Sequence, residues 1–202
     1  MKGTPIFEEV FIVMLRQRAM GIKLLIGCLL GFIPIVNLLA FGYLFRFSRR
    51  VRRSGELTAP EWTDWRGLFL DGLRFAVIWL CYWFLPLSLI SLLSCLLYNF
   101  GIGVIAYILF SVSCVCVSVL FASALYRYQM REDFKDLMDV NLIVKMAYLE
   151  FPRFLVPALV CFGLFALLLP LYGLAWFVPF FVLIGYTGLC FRRLEYQDSV
   201  SF

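Results

Sequence analysis

The chain contains no histidine. Histidine is the commonest protein ligand for metals, the side chain most often used as a general base, and a usual ligand of haem iron. The sequence also has no P-loop, no H-E-x-x-H motif and no G-x-S-x-G motif, which argues against a membrane hydrolase. We therefore expect a protein without catalytic residues, cofactor or metal.

Charged residues are scarce as well. They make up 15% of the 202 residues, whereas 63% of the residues are hydrophobic and 18% are aromatic. A soluble domain usually carries about a quarter charged residues. With a mean hydropathy of +0.93, the composition predicts an integral membrane protein whose first partner is the lipid bilayer. The net charge of +5 is therefore interpreted as a determinant of membrane orientation, and no nucleic-acid partner is expected.

The long apolar runs contain no Asp, Glu, Lys or Arg. Ionisable groups inside a bilayer usually mark proton relays, ion-coupling sites or charged substrates. Their absence argues against a proton-driven transporter. The seven cysteines all lie within these runs and form no C-x-x-C pair, so we interpret them as small apolar packing residues and not as a redox or metal site.

Run length and helical periodicity predict an all-α integral membrane protein with about four spanning helices after residue 74. The chain is expected to form a single membrane domain over residues 1–202. Its predicted segments are an amphipathic arm (1–23), a re-entrant or spanning run (24–45), a basic, tryptophan-rich loop (46–74), two spanning helices (75–97 and 102–126), surface helices (127–153) and a helical hairpin (154–191).

The hairpin is predicted from the length of the last apolar run. As a single helix, residues 154–191 would measure about 57 Å, nearly twice the roughly 30 Å hydrocarbon core of a bilayer. The run must therefore fold back. We expect the turn at the P-L-Y-G sequence of residues 170–173, because proline and glycine favour turns.

Two further segments are predicted to form amphipathic helices at the membrane surface. In residues 4–22, Thr4 and Pro5 suit the start of a helix. The apolar residues with i, i+3, i+4, i+7 spacing are Phe7, Val10, Phe11 and Met14. This face either enters the headgroup region or packs on other parts of the protein. The second predicted surface helix covers residues 130–150, and Pro152 is expected to end it.

The run of residues 24–45 contains a proline and an asparagine three positions apart, Pro34 and Asn37. Pro34 removes a backbone hydrogen bond, and Asn37 can satisfy the groups it frees, which favours a re-entrant hairpin. A hairpin also keeps all 18 basic residues on the cytoplasmic side, which basic residues prefer. The alternative is a kinked spanning helix, since the run is long enough to cross. In both cases the long loops and the C-terminus are expected to be cytoplasmic.

The stretch IPIVNLLAFGYLFRFSRRV and the later stretch PEWTDWRGLFLDGLR resemble a family of prokaryotic membrane proteins known only as a domain of unknown function. The family pattern is an apolar run with proline and asparagine, a Gly-Tyr pair, a basic stretch, and P-E-W-x-D-W with L-F-x-D-G. The matching residues are Pro34, Asn37, Gly42, Tyr43, Pro60, Glu61, Trp62, Asp64, Trp65, Leu68, Phe69, Asp71 and Gly72. The resemblance covers residues 20–191. It implies a multi-pass protein of the prokaryotic inner membrane and no particular activity.

The P-E-W-x-D-W stretch is predicted to begin an interfacial helix over residues 60–73. Thr58 and Glu61 have capping-box spacing. The residues that recur on one helical face are Trp62, Trp65, Phe69 and Leu73. Because tryptophan prefers the membrane interface, we interpret this face as a membrane anchor, or alternatively as a docking site for a partner. Glu61, Asp64 and Asp71 are expected to pair with neighbouring arginines.

Two functions agree with this pattern. The first is a non-catalytic scaffold or accessory subunit that binds other membrane proteins or further copies of itself. The second is a homo-oligomeric channel with a neutral pore. The candidate pore residues are the serines of two spanning runs, Ser88, Ser91, Ser94, Ser111, Ser113 and Ser118. The same serines suit helix packing in a membrane, which is the interpretation we prefer.

Overall fold

A computed structural model of the chain describes residues 7–33, 35–168 and 172–198. Within these ranges the regular secondary structure is entirely helical, which confirms the predicted all-α class. Two helices are long and apolar enough to cross a membrane, Trp65–Asn99 and Gly103–Met130. The sequence predicts about four such helices, and in the described part of the chain these two meet the requirement.

Short helices precede the long ones along the chain. The helices, in order, are α1 (Phe7–Leu15), α2 (Met20–Gly31), α3 (Asn37–Ser54), α4 (Trp65–Trp79), α5 (Leu85–Asn99), α6 (Gly103–Arg131), α7 (Val140–Leu168) and α8 (Tyr172–Asp198). A π-helical turn at Leu80–Phe84 joins α4 to α5 without a break, and a 3-10 turn at Phe134–Met138 precedes α7.

The chain divides into two compact units, Met1–Ala76 with Val156–Phe202, and Val77–Leu155. The boundaries fall inside α4 and inside α7, so each of these helices contributes residues to both units. The first unit contains the proline-asparagine run and the tryptophan-rich stretch. It is therefore the unit that holds the candidate site.

In the first unit, α2 and α3 form an antiparallel hairpin against α8. The end of α2 and the start of α3 meet the same residue of α8: Gly31 lies beside the indole of Trp176, and the ring of Phe41 lies 5.2 Å from it. Further along both helices, Val51 of α3 packs on Gly188 of α8. Helix α3 thus runs parallel to α8, and α2 runs back in the opposite direction.

The turn of this hairpin lies at residues 32–36, and Pro34 is outside the described residues. On either side of it, the Asn37 N–H donates to the Ile33 carbonyl at 2.9 Å, and Ile35 adopts a left-handed backbone with φ 75°. The Asn37 Oδ1 atom is buried without a hydrogen-bond partner among the described residues. The predicted contact of this side chain with freed backbone groups is therefore not observed there.

The amphipathic N-terminal helix is shorter than predicted, because α1 ends at Leu15. Its apolar face packs on the protein itself: Met14 is fully buried, and the ring of Phe7 meets the ring of Tyr186 in α8 at 5.3 Å. Of the two interpretations of this face, the contacts favour packing over insertion among headgroups. The predicted start, at Thr4 and Pro5, lies outside the described residues.

In the second unit, α5 and α6 form a hairpin joined by a tight turn at Gly101, which has φ 83°. The indole N–H of Trp83 donates to Ser118 Oγ at 3.3 Å, which links the two helices. The Tyr82 hydroxyl donates to the carbonyl of Leu137. The 3-10 turn is thereby held against the base of this hairpin.

Helix α7 does not end at Pro152, as the sequence predicts, but continues through Pro152 and Pro157 to Leu168. A proline inside a helix costs roughly 3 kcal/mol through a lost hydrogen bond and a steric clash. The apolar run that follows Pro152 favours continuation, because a helix keeps the remaining backbone groups of an apolar segment hydrogen-bonded. Of the predicted P-L-Y-G turn, Pro170 and Leu171 lie outside the described residues, and Tyr172 and Gly173 begin α8.

Helices α3 and α4 cross at two glycines. A Cβ atom on Gly42 would overlap the carbonyl oxygen of Leu68, and a Cβ atom on Gly72 would overlap the carbonyl oxygen of Leu38. The two overlaps are reciprocal, so the backbones themselves are in contact and neither position has room for a side chain. Contacts of this kind allow dense packing and weak Cα–H to carbonyl interactions between helices.

Replacing Gly72 with alanine should force α3 and α4 apart, because the clashing group is backbone and cannot rotate away. We expect a loss of about 1–3 kcal/mol of stability, measured as a lower midpoint of thermal unfolding in detergent. The control is Gly163→Ala in α7, where a Cβ atom would meet nothing within 4 Å. This variant should keep or raise the midpoint, since alanine favours helix. Equal midpoints for the two variants would contradict the crossing.

Candidate functional site

Four arginines of α3 lie on one face of the helix, because they follow the i, i+3, i+4, i+7 spacing. They are Arg46, Arg49, Arg50 and Arg53. Together they form one wall of a cavity of about 670 Å³. The other lining residues are Ser54, Pro60, Glu61, Thr63 and Asp71. We call this cavity the arginine pocket.

Asp71 of α4 anchors the closed side of the arginine pocket. Its side chain is 10% exposed and accepts a hydrogen bond from Arg46 Nε at 2.9 Å. Arg74 Nη1 lies 3.4 Å and Arg49 Nη2 3.7 Å from the same carboxylate. A buried carboxylate needs such partners, because an unpaired buried charge costs several kcal/mol. The adjacent glycine crossing brings α4 close enough to α3 for these contacts to form.

Asp64 lies at the start of α4 and binds the same arginine. Its carboxylate accepts from Arg46 Nη2 at 2.8 Å and from the backbone N–H of Gly67 at 3.2 Å. These two hydrogen bonds hold the pKa of the Asp64 carboxyl below its ordinary value. Arg46 Nη1 donates to the Thr63 carbonyl at 3.1 Å. The guanidinium of Arg46 therefore ties the beginning of α4 and its second turn to α3.

Glu61 and the loop before it bind the other limb of the hairpin through Lys23. Lys23 Nζ lies 2.6 Å from Glu61 Oε1 and donates to the carbonyl of Ala59 at 3.1 Å. The indole N–H of Trp62 donates to the Lys23 carbonyl at 3.1 Å. Its ring stacks on Tyr43 with centroids 4.1 Å apart and an angle of 12° between the planes. The loop thus links α2 and α3 at the open end of the hairpin.

The tryptophan-rich stretch differs from its prediction in one respect. Helix α4 begins at Trp65 and not at residue 60, so Trp62 belongs to the loop and not to the helical face. The other three residues of the predicted face remain exposed on α4: Trp65 is 49% exposed, Phe69 37% and Leu73 41%. Of the predicted face, these three residues lie on α4 and leave aromatic and apolar surface exposed.

The structure brings most of the motif residues together around Arg46, Tyr43 and Lys23. Pro60 is buried in the wall of the pocket, and Gly42 makes the crossing with α4. Asn37 lies elsewhere, at the hairpin turn, and Pro34 is outside the described residues. Most of the motif is therefore a structural unit that joins α2, α3 and α4.

Sequence reasoning missed two residues that hold this unit together. Lys23 has no recognisable motif around it. Gln17 binds the backbone of the loop with both ends of its amide, since Oε1 accepts from the Ala59 N–H at 2.8 Å and Nε2 donates to the Leu57 carbonyl. The pocket itself had a signal in the sequence, because the helical spacing of the four arginines indicates a common face.

The fold and the motif define the class of protein to which the chain belongs. It is a member of the family of proteins of unknown function DUF4013, whose family model matches residues 25–175. The match confirms the resemblance to an uncharacterised family, and it includes α2 from residue 25 onwards, α3, the loop and α4. No curated protein matches the chain. No solved structure matches it either.

Replacing Arg46 with alanine should destabilise the protein by about 3 kcal/mol, because Asp71 would lose its closest cation while remaining buried. The control is Arg66→Ala, which removes the same charge from an exposed position and should change stability by less than about 0.5 kcal/mol. Unfolding in increasing denaturant, followed by tryptophan fluorescence, measures the difference. A small loss of stability in both variants would show that the folded protein does not depend on the ion pair between Arg46 and Asp71.

Replacing Trp62 with alanine should lower the thermal midpoint more than replacing Trp65. Trp62 loses a stacked ring contact and a hydrogen bond, with an expected cost of about 3 kcal/mol or more, whereas the half-exposed Trp65 loses less buried area. The two variants remove the same side chain three residues apart, so each is the control for the other. A larger decrease of the thermal midpoint for Trp65→Ala would indicate that this stretch stabilises the protein mainly through its exposed face on α4 and not through the loop.

Proposed function

We propose that this chain is a non-catalytic, multi-pass membrane protein that acts as a scaffold or accessory subunit for other membrane components. The observation that carries the proposal is the exposure of its most apolar helices. Only 11% of the apolar window of Trp65–Asn99 and 22% of that of Gly103–Met130 are buried. Apolar surface of this extent requires lipid or another protein around it.

The dimensions of the α2–α3 hairpin support a re-entrant position in the bilayer. Helix α2 has 12 residues and is about 18 Å long, too short for the roughly 30 Å core. The apolar residues at the turn are exposed, with Phe32 and Ile33 at 53% and Ile35 at 76%. A short limb and an apolar tip suit a hairpin that enters to about the middle of the bilayer and returns to the same side.

The charge distribution supports a cytoplasmic position for the open end of this hairpin. The arginine-rich half of α3 begins directly after its apolar half, at Arg46. Basic residues favour the cytoplasmic side. In this orientation the arginine pocket and the loop with Trp62 lie at the cytoplasmic surface, where they are accessible to partners in the same membrane.

Two of the six serines considered as pore residues, Ser111 and Ser118, have contacts that favour packing. Ser111 donates to the carbonyl of Tyr107 at 2.9 Å, and Ser118 donates to the carbonyl of Cys114 at 2.7 Å. Ser118 also accepts from the indole of Trp83. A hydroxyl whose proton is donated to its own helix cannot donate it to a permeating anion, so these two contacts support the accessory role over the channel.

The functional test combines oligomeric state with ion flux. The protein should run as a small species in mild detergent, together with a defined membrane partner, and its liposomes should leak K⁺ and Cl⁻ no faster than empty ones. The physical reason is that the hydroxyl protons of Ser111 and Ser118 are already donated to carbonyls of their own helix. A ring-shaped homo-oligomer whose flux increases with protein content would overturn the proposal and favour the channel.

The proposed topology predicts that the N-terminal helix and the α5–α6 turn lie on opposite sides of the membrane. In a background without native cysteines, Phe100→Cys should react in intact cells with an impermeant maleimide, because Phe100 is 80% exposed in that turn. Glu9→Cys should react only after the cells are opened. Ready labelling of Glu9→Cys from outside would exclude the re-entrant hairpin and indicate a kinked spanning segment.

A further inference from the structure

Helix α1 is apolar on two sides. Its inner side, with Val10 and Met14, is buried against the protein. Its outer side remains open, with Ile12 exposed by 57%, Val13 by 49% and Leu15 by 43%. This outer side is not the face that the spacing predicts, and its apolar surface is left for something outside the described part of the chain to cover.

The contacts of the inner side fix the direction of α1. Phe7 and Met14 are seven residues apart, about 10 Å along the helix. They nevertheless meet adjacent residues of α8: the ring of Phe7 lies 5.3 Å from that of Tyr186, and Met14 fills the space that a Cβ atom of Gly185 would occupy. Helix α1 therefore crosses α8 instead of running along it. Since α8 is aligned with α2 and α3, α1 also lies across the axis of their hairpin.

The turn between α1 and α2 carries two exposed arginines. Gln17 points inward and binds the backbone of the loop with both ends of its amide. Its neighbours Arg16 and Arg18 are exposed, and within the described residues neither side chain forms an ion pair or a hydrogen bond. The acidic residues of α1, Glu8 and Glu9, lie in its first turn, at the other end of the helix. The end of α1 nearest α2 is therefore both apolar and basic.

The length of α2 gives the level of this turn in the bilayer. Its 12 residues measure about 18 Å, and half of the hydrocarbon core is about 15 Å. With the hairpin turn in the middle of the bilayer, α2 begins just outside the core, and Arg16 and Arg18 lie at the level of the lipid phosphates. A helix that crosses the hairpin axis at this level runs along the membrane surface.

We propose that the outer side of α1 and the turn after it bind the cytoplasmic leaflet, with Arg16 and Arg18 on the phosphates of anionic phospholipids. The apolar side chains that enter the boundary between headgroups and acyl chains are Ile12, Val13 and Leu15. This inference rests on the re-entrant topology proposed above. Interfacial helices combine an apolar face with basic residues in this way. Because α1 is held by α8 on one side and by lipid on the other, it limits the depth to which the hairpin enters.

The first test places a fluorophore at Ile12→Cys in the full-length, cysteine-free chain, reconstituted into bilayer vesicles. Phosphatidylcholine that is brominated near the headgroup end of its acyl chains should quench this fluorophore, and aqueous iodide should not. The control is Glu56→Cys, an exposed position that follows the 18 residues of α3 and therefore lies about 27 Å from the hairpin turn. There iodide should quench and the brominated lipid should not.

The second test compares brominated phosphatidylglycerol with brominated phosphatidylcholine as quenchers of the fluorophore at residue 12. An arginine near an anionic leaflet favours binding by about fivefold, so we expect a preference of about fivefold or more for phosphatidylglycerol. Arg16→Gln/Arg18→Gln should lose this preference. Arg66→Gln/Lys145→Gln, which removes two other exposed cations, should keep it. Equal thermal midpoints of the two double variants verify that both fold.

Three results would overturn the proposal. Iodide quenching at residue 12 as strong as at residue 56 would place the outer side of α1 in water. Protection from both quenchers would show that a second copy or another protein covers it. An equal loss of lipid preference in the two double variants would assign the attraction to the whole basic surface. The accessory role is tested by flux and the topology by labelling of Glu9→Cys, so either can fail while the quenching results stand.

Discussion

The contact on which the first unit depends is the crossing of α3 and α4 at Gly42 and Gly72. Both helices present bare backbone there, and each glycine faces a carbonyl oxygen of the other helix. The crossing places Asp71, next to Gly72, opposite Arg46, one turn beyond Gly42. A larger side chain at either glycine would separate the buried Asp71 carboxylate from Arg46. The resulting loss of folding stability would be greater than that from breaking an ion pair at the surface.

The contacts of the charged and aromatic residues in the P-E-W-x-D-W stretch depend on this geometry. Glu61 binds α2 through Lys23, Asp64 binds α3 through Arg46, and Trp62 contacts both helices. The loop is a clamp on the open end of a hairpin whose closed end is apolar and exposed. The loop therefore joins α2 to α3 at the end of the hairpin that lies away from its turn.

The two units have different surfaces. In the first, aromatic residues of α8 are buried against α2 and α3, as with Phe177 and Phe181. In the second, α5 and α6 expose apolar side chains such as Leu92, at 63%, and Val104, at 75%. The first unit is therefore packed around its own aromatic residues, whereas the second unit leaves apolar side chains exposed.

The sequence by itself determined the helical class, the apolar runs, the break near Asn37 and the common face of the arginines, because these follow from composition and from a period of 3.6 residues. Only the tertiary structure decided that Trp62 leaves the helix to stack on Tyr43, that α1 covers α8, and that α7 passes Pro152. The first two outcomes depend on contacts between residues far apart in the chain, as does the ion pair of Lys23 and Glu61. The spacing of residues along the sequence cannot predict such contacts. They form only when distant segments come together in the folded chain, and their free energy then outweighs local helix propensity.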